Sequence, residues 1–258
     1  MTTTQTLKDF TGTVALVTGA GGGIGRAAAE LFAARGAQVA VVDINADIGN
    51  ETVSRIQAAG GEALFIRADL TDEQAVAAMV KTTVDRFGGL HCAFNNAGIN
   101  DAPTPFHEMT QAAWDRMLAV NLTAVFLCMK HEILHMLNNG GGAIANTSSG
   151  AGIIAAPGLP HYTVAKHGVL GLVKSAAQEY ARQNIRVNAI CPGVTDTPMM
   201  RSYAPAGSEM HKAMLATLPM GRMGRPDELA QAAVWLCSDA ASFVSGESML
   251  VDGASVCR

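Results

Sequence analysis

Short apolar segments alternate along the chain with longer segments in which apolar residues recur at helical spacing. The short segments are continuously apolar and partly β-branched, which is typical of strands buried on both faces of a sheet. They predict strands at about 13–18, 38–43, 62–68, 90–95, 142–148, 184–190 and 247–251, with helices between them. The longest helical patterns lie at about 110–137 and 160–182.

This strict alternation predicts right-handed crossovers and an α/β fold, a doubly wound parallel sheet with helices on both faces. The chain has 258 residues and shows no internal repeat or low-complexity linker, so we expect a single domain over residues 1–258. In such a sheet, ligands bind beyond the carboxyl ends of the strands, near the point where the strand order reverses. The polar residues that directly follow each strand are therefore the candidate functional residues.

Composition narrows the class of protein. Hydrophobic residues make up 49% and charged residues 16% of the chain, which is enough apolar material for a large core. The net charge of −4 provides no basic stripe, so we expect no nucleic-acid partner. No stretch approaches about 18 uninterrupted apolar residues, and the first ten residues resemble no signal peptide. Five cysteines without Cys-x-x-Cys spacing suit reduced thiols, so a soluble, cytoplasmic protein without membrane contact is expected.

The first strand pattern runs directly into a glycine-rich turn, and an alanine-rich helical pattern follows. Glycines allow positive φ and the close approach of a pyrophosphate, while the first helical N–H groups face the anion. The pattern predicts cofactor contacts at Gly19, Gly22, Gly23, Ile24 and Gly25. A Gly-x-Gly-x-x-Ala register starting at Gly23 also fits, and so does a purely structural turn. Because the strand stops near Thr18, Gly19 is favoured as the tight-turn glycine.

Asp43 ends the second strand pattern, 18 residues after Gly25. This is close to the roughly 20-residue offset at which a carboxylate meets the adenosine ribose. Asp43 would accept bonds from both ribose hydroxyls and repel a 2′-phosphate, and neither residues 20–24 nor the turn from Ile44 to position 46 contains Arg or Lys. NAD is therefore favoured over NADP, with the competing interpretation that Asp43 only caps the following turn.

Three further strand ends carry polar residues. Asp69 and Leu70 follow the third strand, where they suit either the adenine edge or the N-cap region of the next helix. The fourth strand is followed by a turn that suits a neighbouring ligand or a plain loop, and its candidate cofactor residues are Asn96, Ala97 and Gly98. The fifth strand is followed by Ser148 and Ser149.

Tyr162 and Lys166 lie at i and i+4 near the start of the helical pattern at 160–182, and therefore on one face. A tyrosine of pKa about 10 is a poor base at neutral pH, but a neighbouring ammonium and an oxidised nicotinamide ring would favour the phenolate. Ser149 is placed to hold a substrate oxygen. The alternative is a ring that rests on the lysine stem for packing alone.

These motifs, in this order and spacing, resemble the short-chain dehydrogenase/reductase family from about Leu7 to Gly253, which implies a Rossmann-like sheet. The matching positions are Thr18-Gly-x3-Gly-Ile-Gly25, Asp69, Asn95-Asn-Ala-Gly98, Asn121, Ser149, Tyr162-x3-Lys166, Asn188, Pro192-Gly193 and Val251-Asp-Gly253. The departures from the usual family pattern are Thr195, where an aliphatic residue is common, and Ala254, where a second glycine is frequent.

The resemblance implies a catalytic set of four residues. Tyr162 would be the general acid/base, and Ser149 would orient the substrate oxygen. Lys166 would hold the nicotinamide ribose and lower the pKa of the tyrosine, and Asn121 would anchor a water relay. The resemblance also implies that backbone groups at Pro192, Gly193 and Thr195 contact the carboxamide of the nicotinamide, with the hydroxyl of Thr197 beside them. Asn121 falls within a helical pattern, where a local irregularity is expected.

His131-Glu-Ile-Leu-His135 has the His-Glu-x-x-His spacing of a zinc site on a helix. The longer zinc-protease pattern would need Gly at 138 and His at 141, where the chain has Asn138 and Gly141. We therefore expect no metal, and interpret the two histidines as an exposed or subunit-facing pair.

The expected activity is NAD-dependent interconversion of a secondary alcohol and a ketone. Apolar residues between the serine and the tyrosine (Ile153, Ile154, Pro157, Leu159 and the neighbouring His161) would form one wall, and a methionine-rich segment at about 198–223 would be a lid or ordinary packing. A cyclic or bulky hydrophobic substrate, such as a steroid or terpenoid, is expected. The alternatives are a 3-oxoacyl or polyol enzyme of the same family, or a cofactor-binding regulator without turnover. Excess apolar and small residues on the two long helical patterns predict a homotetramer, a dimer of dimers.

Overall fold

The computed structural model describes residues 9–256, and within them seven strands form one parallel sheet in the order β3-β2-β1-β4-β5-β6-β7. The chain reverses direction across the sheet between β1 and β4, which makes this pair the switch point. The predicted doubly wound sheet is confirmed. The strands are β1 Val14–Thr18, β2 Gln38–Asp43, β3 Glu62–Arg67, β4 Cys92–Asn95, β5 Gly142–Thr147, β6 Ile185–Pro192 and β7 Ser248–Val251.

Helices cover both faces of the sheet. Several of them begin at side chains that accept backbone N–H groups of the first turn, as Asn45 and Asp72 do for α2 and α3. The helices are α1 Gly23–Ala34, α2 Ala46–Ala58, α3 Glu73–Phe87, α4 Gln111–Leu118, α5 Ala124–Leu137, α6 Pro160–Tyr180, α7 Pro198–Tyr203, α8 Glu209–Thr217 and α9 Pro226–Cys237.

The core has one apolar layer on each side of the sheet. Along β1, Leu16 belongs to the layer under α3, α5 and α6, whereas Ala15 and Val17 belong to the layer under α1 and α9. Alternate residues of a strand point to opposite faces, so a strand buried on both faces must be apolar throughout. This explains the continuous apolar segments of the sequence.

Two helix boundaries differ from the sequence prediction. Helix α1 begins at Gly23, inside the glycine-rich turn, whereas the sequence pattern suggested a helix that follows the turn. The predicted continuous helix at 110–137 is interrupted by a π-helical turn at Ala119–Thr123. This turn contains Asn121, so the irregularity expected there is found. π-Helical turns are frequent at functional sites.

The run from Gln111 to Leu137 is long and apolar enough to cross a membrane by length and composition alone, with a mean hydropathy of 1.4. In the fold, half of the residues in its most apolar 18-residue stretch are buried. Its second part, α5, packs against α3 and α6 and lies on strands β4, β5 and β6. It therefore has the position of a core helix.

Candidate active site

A cavity of about 800 Å³ opens at the carboxyl ends of the strands, beside the switch point. Most of the residues that the sequence predicted for a cofactor and catalytic site line this cavity. They are Gly19, Gly22, Gly23, Ile24, Asp43, Asn96, Ala97, Gly98, Asn121, Ser149, Tyr162, Lys166, Pro192, Gly193, Thr195 and Thr197.

The glycine-rich turn is shaped by close backbone contact. Gly19 directly follows β1 and has a φ of +61°. A Cβ on Gly25 would lie 2.2 Å from the carbonyl oxygen of Gly19, so any side chain there would force the turn apart. The first turn of α1 therefore lies against the strand end, and its N-terminus faces the cavity. This arrangement places Gly19, and not Gly23, in the tight turn after the strand.

Asp43 links this turn to the end of β2. Its Oδ2 accepts a hydrogen bond from the backbone N–H of Gly21 at 2.9 Å, and its Oδ1 accepts one from Asn45 at 3.0 Å. The carboxylate also lines the cavity. Both interpretations of the sequence therefore have a geometric basis, because the side chain braces two loops and faces the ligand space.

The loops after β1 and β4 are held together by Thr18, which the sequence reasoning did not assign to the site. Its hydroxyl accepts the backbone N–H groups of Asn96 at 3.0 Å and Ala97 at 3.1 Å. Gly98 lies against Asn121, because a Cβ on it would be 2.7 Å from the amide oxygen of that residue. The signal available in the sequence was a hydroxyl at the last position of an otherwise apolar strand.

Ser149, Tyr162 and Lys166 come together at the end of the cavity near β5. The Ser149 side chain lies near the Tyr162 hydroxyl and favours its ionised form, which lowers the pKa of the phenol. The ammonium of Lys166 lies 5.6 Å from the centre of the Tyr162 ring and donates a 2.8 Å hydrogen bond to the carbonyl oxygen of Thr147. The lysine head is thus fixed by the strand end, beside the phenol.

Burial sets the pKa values of these two groups. It lowers the pKa of Lys166 to about 8, because the charged ammonium loses hydration. Burial also raises the pKa of Tyr162, and the Ser149 side chain opposes this only in part. The expectation that the Lys166 ammonium and an oxidised nicotinamide ring favour the phenolate stays a prediction, and both would have to act against the effect of burial.

Asn121 fastens the loop after β4. The residue is fully buried, and its Oδ1 accepts from the backbone N–H of Ile99 at 2.9 Å while its Nδ2 donates to the carbonyl of Ile99 at 2.8 Å. The π-helical turn positions this side chain opposite the loop. Ile99 itself lines the cavity, so Asn121 shapes the wall that a substrate would meet.

The segment after β6 forms the opposite wall. Gly193 donates its backbone N–H to Val251 at 3.1 Å, and the Thr195 hydroxyl donates to the carbonyl of Gly193 at 3.0 Å. The hydroxyl of Thr197 accepts from the N–H of Met200 at 3.2 Å and so caps α7. Thr195 is buried although it replaces a common aliphatic residue, because its hydroxyl finds this local acceptor.

Four predicted cofactor residues are not in the cavity lining, namely Gly25, Ile44, Asp69 and Leu70. Asp69 accepts from the N–H and hydroxyl of Thr71, which lowers the pKa of its carboxyl, and the N-cap of α3 is Asp72. Asp72, and not Asp69, is therefore the N-cap residue of α3. Leu70 packs on the core, and Ile44 is 58% exposed.

The predicted substrate wall is only partly found. Of the apolar residues between Ser149 and Tyr162, Ile154 lines the cavity, whereas Ile153, Pro157 and Leu159 do not. The neighbouring residue His161 is buried and bonds to Asp101 instead. Of the methionines in the segment at 198–223, Met199 and Met200 line the cavity and the others do not. Further lining residues that the sequence did not suggest include Arg26, Ile99, Asn100, Val194, Leu218, Ser255 and Val256.

The His-Glu-x-x-His segment lies on α5, and its three polar side chains do not converge as the ligands and base of a zinc site would. Glu132 is fully buried and accepts from the amide of Asn95 at 2.9 Å. His131 lies 3.3 Å from Glu73, and both histidines are half-buried, so they are not a fully exposed pair, and the alternative of a subunit-facing pair stays a prediction. Across residues 9–256, no three His, Cys, Asp or Glu side chains are grouped closely enough to hold a metal ion.

Comparison with known proteins agrees with this geometry. A family model described as enoyl-(acyl carrier protein) reductase matches residues 19–254. A 2,5-dichloro-2,5-cyclohexadiene-1,4-diol dehydrogenase of Sphingobium indicum is 44% identical over 248 residues, 96% of this chain and 98% of the relative. A cyclohexanol dehydrogenase of Acinetobacter sp. is 44% identical over 245 residues, 95% of both chains. The solved structure of levodione reductase superimposes with a TM-score of 0.92 at 36% identity, covering 96% of this chain and 99% of that one. This chain therefore belongs to the short-chain dehydrogenase/reductase family of oxidoreductases.

Proposed function

We propose that this enzyme interconverts a cyclic secondary alcohol and the corresponding ketone, with NAD as the hydride carrier and Tyr162 as the general acid/base. The observation that carries the proposal is the meeting of Ser149, Tyr162 and Lys166 in one cavity with the glycine-rich turn. The names of the relatives from Sphingobium indicum and Acinetobacter sp. support ring alcohols as the substrate class.

The residues present fit a dinucleotide. The turn from Gly19 to Gly25 leaves no room for a Cβ at its closest point, and the N-terminus of α1 faces the cavity. We infer that Asp43, which lines the cavity, accepts hydrogen bonds from the adenosine ribose and repels a 2′-phosphate, and this supports NAD over NADP. When bound, the nicotinamide supplies or accepts the hydride.

The chain's own residues perform the proton chemistry. During oxidation, Ser149 holds the substrate oxygen by hydrogen bonding, and the Tyr162 oxygen accepts the hydroxyl proton. The buried ammonium of Lys166 stabilises the negative charge that Tyr162 carries before it takes the proton. Asn121 holds the loop at Ile99 against the site and would anchor the proton path to solvent.

The substrate end of the cavity is mainly apolar, with Ile99, Ile154 and Leu218 from three different segments. Such walls suit a ring with few polar substituents, since burying unpaired hydroxyl groups is costly. The methionine-rich segment, which contains α7 and α8, would close over the ring through Met199 and Met200. A steroid or terpenoid alcohol remains within the proposed range.

The proposal extends to the assembly and location of the protein. Residues 1–258 would form a single domain that binds cofactor and substrate together. Helix α5 exposes Phe126 and Leu134, and α6 exposes Val164. Two such faces suit a homotetramer built as a dimer of dimers. We further propose that the protein works in the cytoplasm.

The test is a turnover assay of the purified protein with NAD or NADP and a panel of alcohols. The panel contains cyclohexanol, borneol, a hydroxysteroid, sorbitol and a 3-hydroxyacyl thioester, with an enoyl thioester and NADH tested in the reverse direction. The ring alcohols should give the highest kcat/KM. A preference for sorbitol or the thioesters would contradict the substrate class, and NAD binding without any turnover would favour a regulatory protein.

A further inference from the structure

His161 is a buried residue directly before Tyr162 on α6. Only 1% of its surface is exposed, and its Nε2 lies 3.2 Å from Oδ2 of Asp101, on the loop that follows β4. An ionised carboxylate can only accept hydrogen bonds, so the imidazole must carry a proton on Nε2 and donate it. The start of the helix that carries Tyr162 is thereby tied to residues 99–104.

The same loop is held at its two ends. At one end Ile99 bonds to Asn121 through both its backbone groups. At the other end the backbone N–H of Thr104 donates to the carbonyl of Gly158 at 2.8 Å. A Cβ on Gly158 would lie 2.8 Å from Cβ of Pro103, so the loops at 99–104 and 153–159 are in direct contact. The His161 bond lies between these attachments.

Both loops contribute walls to the cavity. Ile99 and Asn100 line it from one loop, and Ile154 and residues 155–156 line it from the other. His161 itself does not line the cavity, and it lies behind these walls at the junction of the two loops. Its position allows it to set the spacing of the walls without touching a bound molecule.

The ring is a poor choice for packing alone. Its Nδ1 is buried and has no hydrogen-bond partner among the described residues, which is a cost that an apolar side chain of similar size would avoid. The bond to Asp101 offsets that cost, and Asp101 is further held by an ion pair with Arg116. The imidazole is thus explained by the bond that it makes to the loop.

We propose that His161 is a positioning residue, which holds the loop at 99–104 against the start of α6 so that the walls orient the alcohol toward Tyr162. This inference rests on the proposed function of the cavity. It assigns the His161–Asp101 bond to substrate positioning, and it leaves the proton transfer and the cofactor contacts to the residues described above.

The test compares two substitutions at His161. His161→Leu keeps much of the volume and removes the donor, and we expect KM for a ring alcohol to rise about tenfold, with kcat within about threefold of the wild type. The dissociation constant for NAD should change by less than about twofold. His161→Gln places an amide donor near the position of Nε2 and should restore most of the KM. The matched control is His107→Leu, at a histidine between β4 and α4 whose side chain is 83% exposed, and it should leave KM unchanged.

Asp101→Ala removes the acceptor from the loop side and decides the question if His161→Leu fails to fold. We expect the same rise in KM, and no further rise when both changes are combined, since they break one bond. Arg116→Ala removes the exposed partner of the same carboxylate and should change KM by less than about twofold. An unchanged KM in Asp101→Ala, additive effects in the double variant, or a Gln variant as impaired as the Leu variant would overturn the proposal.

A second readout separates this inference from the proposed function. Amide hydrogen exchange of residues 99–104 should be faster in His161→Leu than in the wild type, and near the wild-type rate in His161→Gln. If the wild type turns over no ring alcohol, the proposed function fails, and the exchange pattern then decides whether the bond holds the loop. Identical exchange in all three proteins would overturn the positioning role.

Discussion

The ammonium of Lys166 lies beside the ring of Tyr162 and is fixed there by the carbonyl of Thr147, 2.8 Å away. Lys166→Ala would remove the cation from the phenol and leave that buried carbonyl without its donor. We expect weaker NAD binding as well as slower turnover, since the proposed ribose contact is lost. Calorimetric titration with NAD and steady-state kinetics measure the two effects. An unchanged dissociation constant for NAD would contradict the double role of this lysine.

Tyr162→Phe tests the proton step separately from cofactor binding. The hydroxyl is the only group removed, and the ring remains beside Lys166. Because general acid/base groups contribute about 10²- to 10⁴-fold, turnover should fall by at least about 100-fold. NAD affinity should stay near that of the wild type, because the phenol acts on the substrate oxygen. Retention of more than half of the rate would remove Tyr162 from the mechanism.

The seven strands and most of the cavity lining could be predicted from the sequence, because the features that specify them are local. An apolar segment that ends in glycines or in Asn96 identifies both a strand and the loop that begins at its carboxyl end. The Tyr162 and Lys166 spacing on one helix is equally local. Such features depend on neighbouring residues in the sequence and not on contacts with distant parts of the chain.

The contacts that the sequence did not reveal join residues far apart in the chain. Thr18 binds Asn96 across 78 positions, and His161 binds Asp101 across 60. The same limitation applies to the effect of burial on the pKa of Tyr162, since that burial depends on the packing of the whole site. The burial of Glu132 and its bond to Asn95 could not be predicted from the sequence either, because Asn95 lies 37 positions away on β4.

Asp43 is predicted to control the choice of cofactor. Its charge-assisted bonds to the ribose contribute roughly 1.5 to 3 kcal/mol, and the repulsion of a 2′-phosphate adds several kcal/mol. NAD should therefore exceed NADP in kcat/KM by at least about 100-fold. Asp43→Ala should reduce this ratio, and adding Ile44→Arg should reduce it further. The measurement is kcat/KM with each cofactor at one saturating alcohol concentration.

The bonds of Asp43 to Gly21 and Asn45 add a control to this experiment. Asp43→Asn removes the charge but keeps one oxygen that can accept a backbone N–H, so the turn stays partly braced. It should gain activity with NADP while losing less activity with NAD than Asp43→Ala does. A cofactor ratio that neither change affects would assign Asp43 to the turn alone.

The buried carboxyl of Glu132 is expected to make the free energy of unfolding depend on pH. Its carboxyl is fully buried, and burial raises its pKa to about 7, although the hydrogen bond from Asn95 acts in the opposite direction. Its Oε1 and the Oδ1 of Asn95 lack hydrogen-bond partners among residues 9–256. A protonated carboxyl can donate a hydrogen bond, whereas an ionised one can only accept, so the neutral form suits this site.

The direction in which stability changes with pH follows from the pKa of Glu132 in the folded and unfolded states. The folded state holds the Glu132 proton up to about pH 7, whereas the unfolded chain releases it near the ordinary glutamate pKa of 4.5. Between these values the folded state binds more protons, so the free energy of unfolding falls as pH rises from about 4.5 to 7. A rise of about 2.5 in pKa corresponds to a loss of about 3 kcal/mol. The stabilising contribution is fully present below pH 4.5 and lost above pH 7.

Glu132→Gln keeps the shape of the side chain, removes the charge and supplies an amide donor that can reach toward Asn95. Urea unfolding at pH 5 and pH 8 should show a much smaller pH dependence than in the wild type, with the variant more stable at pH 8 by up to about 3 kcal/mol and similar at pH 5. Glu209→Gln is the matched control, because its carboxyl is 91% exposed on α8 and should leave the pH dependence unchanged. Equal slopes in Glu132→Gln and the wild type would mean that Glu132 is already ionised at pH 5 in the folded protein, and that Asn95 stabilises the carboxylate more strongly than burial opposes it.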